Sequence, residues 1–119
     1  MASVARVLVC GSRDFEPESR IVARIGQLPE GTTVIHGDAR GADRIAARVA
    51  ESLGLEVEAY PADWKRHGRR AGIERNLLML DGADPDAVIA FWNGKSRGTA
   101  HTIREAEKRG LPVEVIRGR

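Results

Sequence analysis

The chain lacks most of what would commit it to a specialised chemistry. One cysteine, Cys10, stands among 119 residues, so no internal disulfide can form and no zinc set can be assembled from it. Its place at the end of an apolar run marks it as a buried structural thiol rather than a nucleophile. His36, His67 and His101 are scattered, and no two have the i, i+4 spacing of paired metal ligands. No apolar run approaches the roughly 20 residues needed to span a bilayer, and no signal-peptide pattern opens the chain. A cytoplasmic protein without membrane, metal or cofactor is the expectation. Familiar nucleotide motifs are missing as well. No G-x-G-x-x-G follows the first apolar run, and no G-x-S-x-G elbow occurs. Gly94-Lys95-Ser96 looks like the end of a P-loop, but Ile89 occupies the position where that motif needs its first glycine.

Lysine is scarce too: sixteen of the nineteen basic residues are arginine. Arginine suits planar, bidentate recognition of phosphate or carboxylate, although a G- and C-rich genome would also favour its codons. The net charge of +2 is too small to argue for nucleic acid by itself. With 42% hydrophobic and 30% charged residues, the composition is that of an ordinary globular protein. The length allows a single domain over residues 1–119.

Apolar runs and helical stripes alternate along the chain. Strands are expected at about Val4–Cys10, Thr33–His36, Glu56–Tyr60, Ala87–Phe91 and Val113–Ile116. The first, second and fourth are nearly continuous apolar runs, the pattern of parallel strands covered on both faces. Helical stripes fall between them: Ile21, Ile25 and Leu28; Ala42, Ala46, Val49 and Leu53; Ile73, Leu77 and Leu80; Thr99, Ile103 and Ala106. Pro17 suits a first helical turn, and Gly54, Gly82 and Gly110 suit helix ends. The expectation is an α/β, Rossmann-like, doubly wound sheet of five mostly parallel strands with helices on both faces. The expected order is 3-2-1-4-5, which puts a ligand crevice at the carboxyl ends of strands one and four.

Three glycine-rich turns follow strands and so meet that crevice: Gly11-Ser12-Arg13-Asp14, Gly37 to Asp43, and Asn93 to Thr99. Glycine lets backbone N–H groups approach a phosphate, and a following helix adds partial positive charge. Gly94, Ser96, Gly98 and Thr99 read as an anion cradle. Arg13 and Arg40 read as ligand contacts, since neither has an obvious structural reason to sit in a tight turn. Asp38 lies between the bracketing Gly37 and Gly41, and Asp43 is expected to cap the second helix. Asp14, Asp38 and Asp43 are the carboxylates of these loops, and nothing in the sequence selects one as a general base. The basic run Lys65 to Arg70 beside Trp64 is a solvated face, a lid over the crevice, or a patch for single-stranded nucleic acid. Trp92 either stacks on a base or covers the edge of the core.

At these segments the sequence resembles the SLOG superfamily, in particular its small YspA/YpsA-related proteins. The resemblance rests on Gly11-Ser12-Arg13-Asp14-Phe15, His36 to Asp43, Pro61-Ala62-Asp63-Trp64 with Gly68 and Ala71-Gly72, Arg75-Asn76 with Met79, and Gly98-Thr99. It implies a Rossmann-type domain that binds nucleotide-derived ligands as a sensor or a processing enzyme. A related branch, the Lonely Guy phosphoribohydrolases, cleaves the N-glycosidic bond of nucleoside monophosphates. Arg75 matches that branch's arginine, Asn76 replaces its lysine, Gly98-Thr99 keeps its glycine–threonine pair, and Thr102 stands where it carries glutamate. A threonine cannot supply the charge that stabilises an oxocarbenium-like transition state, so that hydrolysis is not expected unless Asp14, Asp38 or Glu105 substitutes. The resemblance implies a nucleotide-type partner and a homodimer; the run Leu77 to Leu80 carries more apolar surface than one core-facing stripe requires, so Leu78 or Met79 is expected at the subunit interface. A distant branch, the DNA-processing proteins, binds single-stranded DNA, which keeps a DNA-binding module as a further alternative.

Overall fold

Alternating side chains of the first strand feed two separate cores, and the rest of the molecule is arranged around that division. The computed structural model describes residues 5–119. In chain order the elements are β1 (Arg6–Gly11), α1 (Glu18–Ile25), β2 (Thr33–His36), α2 (Ala42–Ser52), β3 (Glu56–Ala59), α3 (Trp64–His67), α4 (Ala71–Gly82), β4 (Ala87–Trp92), α5 (Arg97–Lys108) and β5 (Val113–Arg117). A 3-10 turn, Gly68–Arg70, joins α3 to α4. The strands form one sheet in the order β3-β2-β1-β4-β5, and every pairing is parallel. The fold is therefore the α/β, Rossmann-like, doubly wound architecture expected from the alternation. Val4, expected to begin the first strand, lies outside the described residues.

Val7 and Val9 point to the face covered by α1 and α2, where they meet Ile21, Ile25, Val34, Ile45, Ile89 and Phe91. Leu8 and Cys10 point to the face covered by α4 and α5, against Ile35, Met79, Leu80, Val88 and Ala106. This is the period-2 consequence of a strand buried on both sides. Phe15, just past β1, closes the first core with its ring edge-on to Phe91 at 5.6 Å. The loop holding Phe15 is tied to the far end of the chain: Glu16 and Arg119 exchange reciprocal backbone hydrogen bonds of 2.9 and 2.8 Å.

Helix α4 departs from the expected stripe. Its buried positions are Ala71, Asn76, Met79 and Leu80, whereas Ile73 is 43% exposed and Leu77 is half-buried. The run Leu77-Leu78-Met79-Leu80 is apolar on every side, so periodicity cannot choose its face; packing of Met79 and Leu80 against the sheet does. Met79, expected as a candidate interface residue, is only 1% exposed and packs inside its own core. Leu78, 56% exposed, is the more exposed of the two large apolar residues, with Ile73, that this helix leaves in solvent. In α5 the buried stripe is Thr99, Thr102 and Ala106, with Ile103 packed at its edge. No helix among the described residues is long and apolar enough to cross a membrane.

Candidate functional site

Because the chain leaves β1 toward one face and β4 toward the other, a crevice opens between their carboxyl ends. Gly11 ends β1, paired with Phe91 of β4. A Cβ there would lie 2.5 Å from the Ala42 side chain and 2.8 Å from the Phe91 carbonyl oxygen, so this glycine serves the approach of α2 to the sheet. Ser12 is buried and stitches the two crevice loops: its N–H donates to the Phe91 carbonyl at 2.9 Å, and its Oγ accepts the Asn93 N–H at 3.2 Å. Asn93 in turn accepts the N–H groups of Lys95 and Ser96 at 2.8 and 2.9 Å. Ser96 is the N-cap of α5, its Oγ accepting the Thr99 N–H at 3.3 Å and lying 3.0 Å from the Thr99 hydroxyl. The next N–H groups, those of Arg97 and Gly98, have no partner within the helix. Space beside Gly98 is open. The Thr102 hydroxyl donates back to the Gly98 carbonyl at 3.2 Å, and the residue is 1% exposed.

The second loop is organised from within. Gly41, at φ 84, is the N-cap of α2, and a Cβ on it would collide with the backbone of Arg13. Asp43 therefore does not cap the helix as expected, since glycine holds the cap position and Asp43 falls in the first turn. Its Oδ2 instead accepts the Gly37 N–H at 2.9 Å and the Ala39 N–H at 3.4 Å, fixing the loop that precedes the helix. Asp38 takes the left-handed region at φ 55, and its N–H donates to His36 Nδ1 at 2.9 Å. The neutral His36 ring accordingly carries its proton on Nε2, and burial holds its pKa below the ordinary histidine value.

Arg75 joins the two halves of the site. Its Nε donates to the Asn76 side-chain oxygen at 2.9 Å, and its guanidinium also donates to the Gly37 carbonyl. Burial lowers the Arg75 pKa, and Asp43 nearby offsets part of that. For Asp43 burial dominates and raises the pKa to about 6, against the Ala39 N–H, Arg75 and the Gly37 N–H, which pull it down. Burial likewise pushes the Cys10 thiol far above its usual range, leaving no thiolate for nucleophilic chemistry at neutral pH.

A cavity of about 590 Å³ occupies the crevice. Of the residues singled out in the sequence, it brings together Gly11, Ser12, Arg13, Asp14, Asp43, Arg75, Asn76, Ser96, Gly98, Thr99 and Thr102. Gly37, Asp38 and Arg40 line an adjoining cleft of about 450 Å³ instead, which shares Arg13, Ala39, Trp64 and Arg75 as a common wall. Gly41 borders a groove on the α2 side. Gly94 faces away, at φ 82 with Arg117 over it, and its role is the turn itself. Trp92 does not line the cavity: Arg117 covers its ring at 5.0 Å and its N–H donates to the Ser96 carbonyl at 3.0 Å. Glu105 is held by Lys108 and Arg109. The basic run divides, Arg69 lining the cavity and Arg70 pairing with Glu74 at 3.5 Å.

Gly72, Ile73 and Lys95 line the cavity without having been singled out as contacts. Gly72 and Ile73 lie four and three residues before Asn76, so their helical spacing was the available signal.

The family model described as YspA, cpYpsA-related SLOG family matches residues 5–67, which carry the first two crevice loops. The chain is also 41% identical over 117 aligned residues to the Gene 61 protein of Mycobacterium phage D29, covering 91% of this chain and 93% of that protein. The order of the sheet, the loops at its switch point and both similarities coincide, and the chain belongs to the YspA, cpYpsA-related SLOG family.

Proposed function

We propose that this protein binds a nucleotide or nucleotide-derived ligand in the cavity between β1 and β4, acting as a sensor of that ligand. The observation that carries the reading is an imbalance of charge at the cavity wall. Arg13, Arg69 and Lys95 border it, and none of them is paired with a carboxylate among the described residues. With them stands the first turn of α5, whose free N–H groups and partial positive charge favour a phosphate. With Arg75 these cations outnumber the carboxylates Asp14 and Asp43 on the same cavity wall, and the size of the cavity suits a mononucleotide.

Turnover is the lesser reading. The position corresponding to the phosphoribohydrolase glutamate is Thr102, engaged with the Gly98 carbonyl, and Glu105 is committed to Lys108 and Arg109. A homodimer is part of the proposal, with Leu78 on the outer face of α4 as the contact.

Mass spectrometry of small molecules released from natively purified protein tests the reading. A phosphorylated nucleoside compound is the expected result. Finding none, together with no heat of binding for nucleoside monophosphates at millimolar concentration, overturns it. A steeply salt-dependent affinity for single-stranded DNA in place of mononucleotides favours the nucleic-acid alternative.

A further inference from the structure

The cavity has two chemically different ends. At one, Lys95, Ser96 and Thr99 surround the N-terminus of α5 with donors. At the other, Trp64, Gly72 and Ile73 form an apolar wall from α3 and α4. Trp64 belongs to neither hydrophobic core, and 54% of it is exposed. An indole left in water forgoes the burial that usually accounts for a tryptophan's presence. Its mounting is nevertheless defined: Asp63 caps α3, accepting the Arg66 N–H at 3.1 Å, and the His67 N–H donates to the Asp63 carbonyl at 2.9 Å.

The edge of the indole and the guanidinium of Arg75 flank an open slot over Gly72. A Cβ built on Gly72 would have as nearest neighbours Trp64 Cη2 and Arg75 Nη2, each at 3.9 Å. The indole and the guanidinium therefore stand at most twice that distance apart over the bare glycine. Both walls are flat, one aromatic and one guanidinium, and both kinds of surface stack on planar rings.

We propose that the Trp64–Gly72–Ile73 shelf is the base subsite: the nucleobase lies on Trp64, between it and Arg75, while the phosphate sits at the first turn of α5. This rests on the nucleotide reading above and adds to it the source of recognition for the base. Stacking on an indole tolerates any base, because every base has a π-face. Affinity therefore depends on the presence of a ring more than on its edge.

The test is calorimetric titration of wild type, Trp64→Ala, Trp64→Phe and Gly72→Ala with AMP and with ribose 5-phosphate, which carries the same sugar and phosphate but no base. Wild type is expected to bind AMP more tightly than ribose 5-phosphate. Trp64→Ala is expected to lose about 5- to 100-fold in affinity for AMP and to keep its affinity for ribose 5-phosphate, while Trp64→Phe retains most of both. Gly72→Ala fills the slot with a methyl group and is expected to weaken AMP without lowering the melting temperature, since alanine is the better helix former. An unchanged AMP affinity in Trp64→Ala, or an equal loss for both compounds, overturns the base subsite. Wild type that binds neither compound overturns the nucleotide reading itself. Circular dichroism of each variant confirms its fold.

Discussion

Asp43 reaches out of the first turn of α2 to accept the Gly37 N–H at 2.9 Å, so a buried carboxylate holds the backbone of the loop that precedes its own helix. Its pKa, raised by burial from 3.8 to about 6, makes this a pH-dependent arrangement. An acid whose pKa is raised on folding binds more protons folded than unfolded between the two values, so its contribution to stability is full below pH 4 and falls as pH rises to about 6. The loss amounts to about 2–3 kcal/mol. Other carboxylates, such as Glu58 with Arg6 and Glu114 with Arg24, have lowered pKa values and act in the opposite sense. The measurement is therefore a difference: the stability of wild type minus that of Asp43→Asn, followed by urea unfolding from pH 4 to 7, is expected to decline with pH. A flat difference would show that Asp43 ionises as freely folded as unfolded.

Two glycines of the same loop separate folding from binding. Gly41→Ala places a side chain at positive φ against the backbone of Arg13, which is expected to cost about 2 kcal/mol or more in stability. The nearest atoms Gly37→Ala meets are those of the Arg75 guanidinium, the movable end of a long side chain, so its stability loss is smaller. It displaces Arg75 from the Gly37 carbonyl, however, and AMP affinity is expected to drop. Thermal melts and titrations of both variants check the contrast; equal melting temperatures would contradict it.

Arg13 and Arg40 are expected to differ. Arg13 borders both the cavity and the cleft beside it, whereas Arg40 borders the cleft but not the cavity. Arg13→Ala should weaken a mononucleotide by about 1.5–3 kcal/mol, the usual worth of a charge-assisted contact, and Arg40→Ala by much less. Neither side chain is in a core, so both melting temperatures should stay close to that of wild type. A larger loss for Arg40→Ala in calorimetry would place the phosphate in the cleft instead.

Hydrolysis of nucleoside monophosphates to free base should be very slow or absent. A positioned charge acting on the transition state is commonly worth ~10²–10³ in rate, and Thr102 offers none. Chromatography of wild-type protein incubated with the common monophosphates follows the release of base. Turnover near ~1 s⁻¹ would identify another carboxylate at work, and Asp43, buried at the cavity wall, would be the first to replace.

The sheet was legible because each buried strand is a continuous apolar run and each connection is short, which leaves the doubly wound order as the natural solution. The glycine-rich turns were legible for the same reason, since loops after the strands must meet at the switch point. Individual roles were less so. Asp43 reads as a helix cap until Gly41 is seen to occupy that position. Gly11 lines the cavity as expected but also admits Ala42, and Gly94, outside the cavity lining, makes a turn beneath Arg117. Helix α4 shows most clearly where pattern fails: four consecutive apolar residues carry no phase, so only tertiary packing assigns Met79 to the core and Leu78 to solvent.

The reciprocal hydrogen bonds between Glu16 and Arg119 give the loop carrying Arg13 and Asp14 a mechanical dependence on the far edge of the sheet. Arg119 follows directly on β5, with the Gly118 N–H donating to the Trp92 carbonyl at 3.1 Å, and β5 is an edge strand with Val115 facing solvent. Fraying of the edge and opening of the ligand loop thus become one event, and the amides of Glu16 and Arg119 should exchange with deuterium at a common rate. Ligand held by the loop would slow that rate at Arg119 as well, so an occupied site would announce itself in the segment just beyond β5.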